Sequence, residues 1–202
     1  MITGPKYKKA RRLGPSVFDK TQTQKFMVKM NDRKGASKPK KAGSDFGIQL
    51  LEKQKAKVTY GIGERQFKNT VSKILGKKGV NISEALIQDL EMRLDNTIYR
   101  LGFAKTRQAA RQMVNHGHIN VNGKRLTIPS YSVKVGDIIA IRELSQKKPL
   151  FKDLTETLKE QKIPSWLTLN VEKREAKVQG VPKIAANELS FDIPLIFQFY
   201  SK

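Results

Sequence analysis

The sequence predicts an α+β protein with a mostly helical part and a small module of helices and β-hairpins. Three observations carry that expectation. Residues 93–123 read as helix, turn, helix and then a strand entering an Asn122-Gly123 hairpin. Residues 46–90 carry helical apolar spacings but no partner beside them in the chain. Residues 191–200 are nearly all apolar, so this tail has to pack on something, and the partnerless helices are its natural seat.

The charge narrows the function. In 202 residues, 40 Lys and Arg stand against 18 Asp and Glu, a formal net charge of +22. Such an excess repels itself in a compact fold. Neutralising phosphates with release of condensed counterions offsets that cost, so nucleic acid is the expected partner. No apolar run reaches the ~18 residues of a membrane span, and no signal-peptide pattern opens the chain. A cytoplasmic protein, or one made inside an organelle, is expected, with neither a membrane nor a small-molecule substrate as partner. The chain has no cysteine, which excludes disulfides, thiolate zinc and a cysteine nucleophile. Its two histidines, His116 and His118, flank Gly117 and read as a helix end with a glycine cap, not as a metal site. No cofactor is expected.

Taken in order, residues 1–45 form a basic extended segment with thirteen Lys and Arg against three acids. Alone it buries too little apolar surface to offset its ordering entropy. Its clusters are Lys6-Tyr7-Lys8-Lys9-Ala10-Arg11-Arg12 and Asp32–Lys41. Lys6, Lys8, Lys9, Arg11 and Arg12 are expected on RNA, and Tyr7 and Phe18 could stack on bases.

Residues 46–90 are expected to be helical. Ser44 or Asp45 caps a helix over 46–57 with Ile48, Leu50, Leu51 and Lys55 along its stripe. Gly61 and Gly63 break it, and Phe67, Val71, Ile74 and Leu75 then mark a second stripe. The Gly61-x-Gly63 pair lacks the preceding strand and third glycine of a dinucleotide loop. Lys53, Lys55, Arg65 and Lys68 are the RNA-binding candidates of this part.

Ser83 is expected to cap one long helix to Leu101, with Leu86, Leu90, Leu94, Ile98 and Leu101 inward and Arg93 and Arg100 off the stripe. Gly102 ends it. Thr106 caps the next helix, which ends at His116-Gly117. Arg107 and Arg111 lie one turn apart, and Lys105 sits just before the N-terminus. His116, Lys124 and Arg125 complete the candidate set around the hairpin. Asp95 could orient Arg93, accept from a ribose hydroxyl, or only stabilise its helix. Strands are expected at 119–121, 132–135 and 138–141. After Pro149 come a helix over 151–162, Trp166 as a packing anchor, a strand at 167–171 and an extended or strand-like end at 191–200.

Several segments, in order, resemble bacterial-type small-subunit ribosomal protein S-four. They are Gly4-Pro5 with Arg11-Arg12; Ser44-Asp45-Phe46-Gly47-Ile48-Gln49-Leu50 with Glu52-Lys53-Gln54-Lys55; Tyr60-Gly61 with Glu64-Arg65-Gln66-Phe67; Glu91-x-Arg93-Leu94-Asp95-Asn96 through Tyr99-Arg100, Gly102-Phe103-Ala104, Thr106-Arg107 and Ala110-Arg111-Gln112; and Tyr200-Ser201-Lys202. The resemblance covers nearly the whole chain. It implies a helical domain from residues 46–90 completed by 187–202, an inserted S-four RNA-binding domain at 91–155, and a connecting helix and strand at 156–186. It also implies a non-enzymatic constituent of the small ribosomal subunit that binds a multi-helix junction in the 5′ domain of 16S-type ribosomal RNA. Nucleation of assembly, contact with protein S-five and other small-subunit proteins, a part in translational accuracy, and basic residues along the channel where messenger RNA (mRNA) enters are implied with it.

Two departures stand out. Some members have an N-terminal cysteine zinc knuckle, which this chain lacks, so no metal is carried over. Many have Gly-Gln-His-Gly before the first-helix motif, where this chain reads Arg33-Lys34-Gly35-Ala36-Ser37-Lys38. The alternative is an accessory RNA-binding protein or RNA-modifying enzyme using the same module. It needs a catalytic domain, and no nucleotide loop or paired carboxylates lie outside the module.

Overall fold

A computed structural model describes residues 5–35, 43–152, 154–183 and 188–201. Its helices are α1 (Lys6–Leu13), α2 (Gln24–Gly35), α3 (Asp45–Tyr60), α4 (Glu64–Leu75), α5 (Ile82–Glu91), α6 (Leu94–Arg100) and α7 (Arg107–Asn115), then α8 (Glu143–Gln146), α9 (Leu154–Glu160) and α10 (Ile193–Tyr200). Its strands are β1 (Ile119–Val121), β2 (Lys124–Arg125), β3 (Ile138–Ile141), β4 (Leu167–Asn170) and β5 (Glu175–Val178). The chain divides into two compact units, Met1–Ser83 with Ile184–Lys202, and Glu84–Lys183.

The first unit is built on α3. Ser44 caps it by accepting from the Gly47 amide at 3.2 Å, and Gly61, at φ 66°, ends it in the left-handed conformation. Its buried face is not the stripe the sequence predicts. Phe46 and Ile48 are exposed, whereas Gln49, Glu52, Lys53, Ala56, Val58 and Tyr60 are buried. The polar members of that face meet partners from elsewhere in the unit. Gln49 donates to Gln198, Glu52 accepts from the Asp192 amide at 2.9 Å, and Lys53 donates to Glu64 at 2.7 Å. Burial of charge is tolerated where each group is paired.

The C-terminal segment is the partner of α3 and α4, but it is a helix, not a strand. Asp192 accepts from the Leu195 amide and Pro194 occupies the first turn, both favourable at a helix start. Ring contacts tie it down: Phe199 to Phe46, Tyr200 to Phe67 and, just before the helix, Phe191 to Tyr60. In the basic segment, α1 and α2 are helical within the described residues, and Leu13 and Val17 pack with Val58 of α3. Phe18 packs against that cluster and is partly buried. The second basic cluster begins in the last turn of α2, and its residues 36–41 lie outside the described residues.

The second unit places α6 and α7 against a five-stranded antiparallel sheet of order β2-β1-β3-β5-β4. Ile119 pairs with Ile141 and Ile139 with Ala176, so inward residues line up across three strands. Their core joins Leu94, Ile98, Leu101, Val114, Phe151 and Trp166. Trp166 is the packing anchor the sequence predicts. The pairing of β5 with β3 draws residues 167–178 into this unit, which is therefore wider than the expected 91–155.

Three local expectations are corrected here. The single helix over 83–101 is two, α5 and α6, separated at Met92-Arg93. The loop at 129–133 causes the break: the Leu94 and Asp95 amides donate to Tyr131 and Pro129 carbonyls, and Val133 donates to the Met92 carbonyl. These bonds replace intrahelical ones. The same loop forms a single bridge at Ser132 and no strand, and the Lys134 amide is taken by the Asp137 carboxylate. Asn81, not Ser83, serves the start of α5: its side chain accepts from the Ser83 amide at 3.1 Å.

Candidate nucleic-acid interface

The hairpin of α6 and α7 starts from ordinary capping chemistry. Thr106 accepts from the Ala109 amide to start α7, and Gly102 and Gly117 turn the chain at φ 80° and 70°. Between the helices lies a lattice of three arginines on two buried carboxylates, with a fourth arginine on a side-chain amide. Asp95 takes two bonds from Arg93, at 3.1 and 2.9 Å, and further bonds from Arg111 across the hairpin, the Nε at 2.8 Å. Glu91, fully buried, takes both ends of Arg100 at 2.8 Å and the Asn96 amide, also at 2.8 Å. Asn96 in turn accepts from Arg107 Nε at 2.7 Å, and the Arg107 guanidinium stacks 4.3 Å from the Tyr99 ring centre.

The lattice sorts the expected phosphate ligands. Arg93 is buried and holds Asp95 with both nitrogens, so it acts inside the fold and not on its surface. Asp95 does orient Arg93, and Arg111 as well. Arg100, Arg107 and Arg111 are partly exposed, with the Arg111 side chain at 24%. Planar guanidiniums held this way lose little further freedom on meeting a phosphate. Exposed Lys105 precedes α7.

The hairpin adds a second set. Asn122 and Gly123 both have positive φ, at 50° and 77°, as a type I′ turn requires. Asn122 donates to Asp137 at 2.8 Å and accepts from the Ile138 amide, which fixes the tip. Lys124 and Arg125 are exposed on β2, and the Arg125 guanidinium lies across Gly117, where a Cβ would make it move aside. His116 is exposed beside it; His118 is buried, 3.0 Å from the Ser145 hydroxyl and edge-on to Phe151. Burial first, then the cations Lys148, His116, Arg125 and Arg142, push the His118 pKa below its usual 6.5.

In the helical unit the candidates divide in the same way. Lys6, Lys8, Arg11 and Arg12 are exposed on α1, with Lys9 half-buried; Arg65 and Lys68 are exposed on α4. Lys53 is committed to Glu64 and lies 4.5 Å from the Phe199 ring centre, and Lys55 pairs with Glu52 at 2.6 Å. These two sit in a structural charge network within the unit. Burial raises the Glu64 carboxyl, but hydrogen bonds from Lys53, Lys57 and Tyr200 outweigh it and hold its pKa at about 2.

Sequence reasoning missed Glu91, Asn96 and Tyr99 as supports of the arginines. The signal was present as a carboxylate, an amide and an aromatic within nine residues, but a continuous helix over 83–101 scatters them around its surface. The break at Arg93 is what brings them together. Among the described residues no group of three or more His, Cys, Asp or Glu is placed to hold a metal, and no helix is long and apolar enough to cross a membrane.

A helix hairpin carrying pinned arginines, followed by a lysine- and arginine-tipped β-hairpin, defines a class of RNA-binding module. Residues 92–139 match the family model described as S4 domain, and residues 1–91 match that of the Ribosomal protein S4/S9 N-terminal domain. The chain is 43% identical to the small ribosomal subunit protein uS4 of Chloroflexus aurantiacus over 98% of each chain. It is 44% identical to that of Persephonella marina (98% of this chain, 97% of the relative) and 40% identical to that of Streptococcus mutans (99% and 97%). The chain belongs to the small ribosomal subunit protein uS4 family, whose members are structural and not enzymatic.

Proposed function

We propose that this chain is a structural constituent of the small ribosomal subunit that binds 16S-type ribosomal RNA directly. It acts as a primary binder at a multi-helix junction of the 5′ domain and nucleates assembly of the subunit body. Contact with protein S-five and other small-subunit proteins, and basic residues along the mRNA channel, tie it to translational accuracy. Its seat is the ribosome in the cytoplasm or in an organelle that makes it. The names of the relatives support the ribosomal role, and the arginine lattice of α6 and α7 supports the manner of binding. That lattice is the single observation that carries the reading. RNA helices hide their base edges in a deep, narrow groove, so a protein reads them by backbone spacing. Cations held on buried partners offer a fixed spacing; lysines on flexible stems do not.

The test compares Arg107→Ala with Lys105→Ala, combined, against Lys6→Ala with Lys8→Ala, combined. Arg107 rests on the Asn96 side-chain oxygen and the Tyr99 ring, and the three lysines are exposed, so Asp95 and Glu91 keep their arginines. Both variants should flatten the salt dependence of RNA binding, by roughly 0.7–0.9 in log–log slope for each phosphate that is no longer neutralised. Only the first should reduce the preference for a junction RNA over an unrelated fold. An equal drop in preference in both overturns readout by the S-four module.

A further inference from the structure

The first helices of the chain form a cleft that brings Tyr7 and Arg11 together with residues of α2. It lies between α1 and α2, measures about 390 Å³, and is lined by Tyr7, Arg11, Lys25, Phe26, Lys29 and Met30 among others. Its size falls within the ~300–1,000 Å³ of small-ligand sites. The floor is apolar and aromatic: the Tyr7 and Phe26 rings stand 5.7 Å apart, inclined at 37°, and Tyr7 remains 47% exposed. The rim is cationic. Arg11 is drawn back along α1 by a bond from its Nε to the Tyr7 carbonyl, at 3.2 Å, and lines the cleft with Tyr7. Lys25 and Lys29 stand one turn apart on α2, both exposed. Among the described residues, no acidic side chain lines the cleft.

We propose that this cleft receives one unpaired nucleobase of RNA, stacked on Tyr7, with the flanking phosphates on Arg11, Lys25 and Lys29. The proposal rests on the RNA-binding reading above and gives the basic segment a specific role within it. Three cations and an exposed aromatic face in one concavity match the two chemistries of a single-stranded nucleotide, a polyanionic backbone and a flat π-surface. A wholly apolar occupant would leave the three cations without partners. A paired helix would offer phosphates but no base face. Stacking on aromatics tolerates any base, so the site adds affinity with little sequence preference.

The experiment uses the full chain and two probes of equal charge and length: a short single-stranded oligoadenylate and the corresponding abasic ribose-phosphate chain. The wild type should bind the first about tenfold more tightly, within what one stacked base contributes. Tyr7→Leu should bring that ratio close to one while leaving the abasic affinity unchanged, and Tyr7→Phe should keep it. Because Tyr7 is half exposed, its replacement is not expected to unfold the unit; Phe26→Leu provides an independent reading. The same ratio in wild type and Tyr7→Leu overturns the stacking site yet leaves RNA binding intact, since the abasic chain still binds. Failure of the wild type to bind either probe overturns both this proposal and the RNA-binding reading beneath it.

Discussion

Arg111 reaches from α7 across to Asp95 at the start of α6, its Nε 2.8 Å from a carboxylate oxygen already held by Arg93. One buried acid thus fixes the geometry of two helices and the direction of an arginine at the surface. The module's stability and its proposed binding face depend on the same carboxylate.

Removing Asp95 should therefore affect both. Asp95→Ala leaves Arg93 buried without its carboxylate and Arg111 without its anchor. Breaking a buried pair from one side costs about 3–5 kcal/mol. Denaturant unfolding of the full chain should register a destabilisation of that order, against less than about 0.5 kcal/mol for the surface change Lys105→Ala. A destabilisation of less than about 1 kcal/mol would mean that Asp95 does not organise the hairpin.

Gly117 offers a separable test. Gly117 and Gly123 both have positive φ, but only at Gly117 would a methyl group meet the Arg125 guanidinium. Gly123→Ala should cost only the left-handed backbone penalty of roughly 1–2 kcal/mol. Gly117→Ala should cost a similar amount, because the exposed Arg125 side chain can move aside, but that movement should also weaken RNA binding. Equal RNA affinities of the two variants would argue that the place of Arg125 does not matter for binding.

The acid end of the pH range should reveal how the C-terminal helix is held. Glu64 has a folded pKa of about 2 against 4.5 in the open chain, so between those values the unfolded state binds the extra proton. The stabilisation from the ionised carboxylate is fully present above pH 4.5 and disappears as pH falls towards 2. Burial and the bond to Glu64 raise the Tyr200 pKa, so its hydroxyl stays protonated as the donor throughout. The stability advantage of wild type over Glu64→Gln should shrink across this window. Its size is modest because Glu64 is nearly half exposed and solvent screens it. An advantage independent of pH would show that the ionised carboxylate does not hold the helix.

What the sequence disclosed, and what it withheld, follows from where the information lies. Thr106, Gly102, Gly117 and Asn122-Gly123 act through local backbone geometry, so the hairpin of helices and the turn after it were legible residue by residue. The register of α3 was not. Its buried positions include Gln49, Glu52 and Lys53, and these are tolerated only because Gln198, the Asp192 amide and Glu64 arrive from other elements. A pattern search on apolar residues turns such a helix the wrong way. The tail from Phe191 to Tyr200 is so uniformly apolar that periods of 2 and 3.6 both fit. The capping Asp192 and Pro194 were the better signal. Arg93 read as a surface cation because the loop that breaks the helix at its position lies thirty-six residues or more downstream, at 129–133.

The most direct measurement is binding of the full chain to a small-subunit ribosomal RNA 5′-domain fragment and to an equally structured unrelated RNA, across a salt series. Log affinity should fall linearly with log salt for both, with a preference for the 5′-domain fragment that persists at high salt. Equal affinities at every salt concentration would contradict junction reading and leave a generic polycation in place of a junction-reading ribosomal protein.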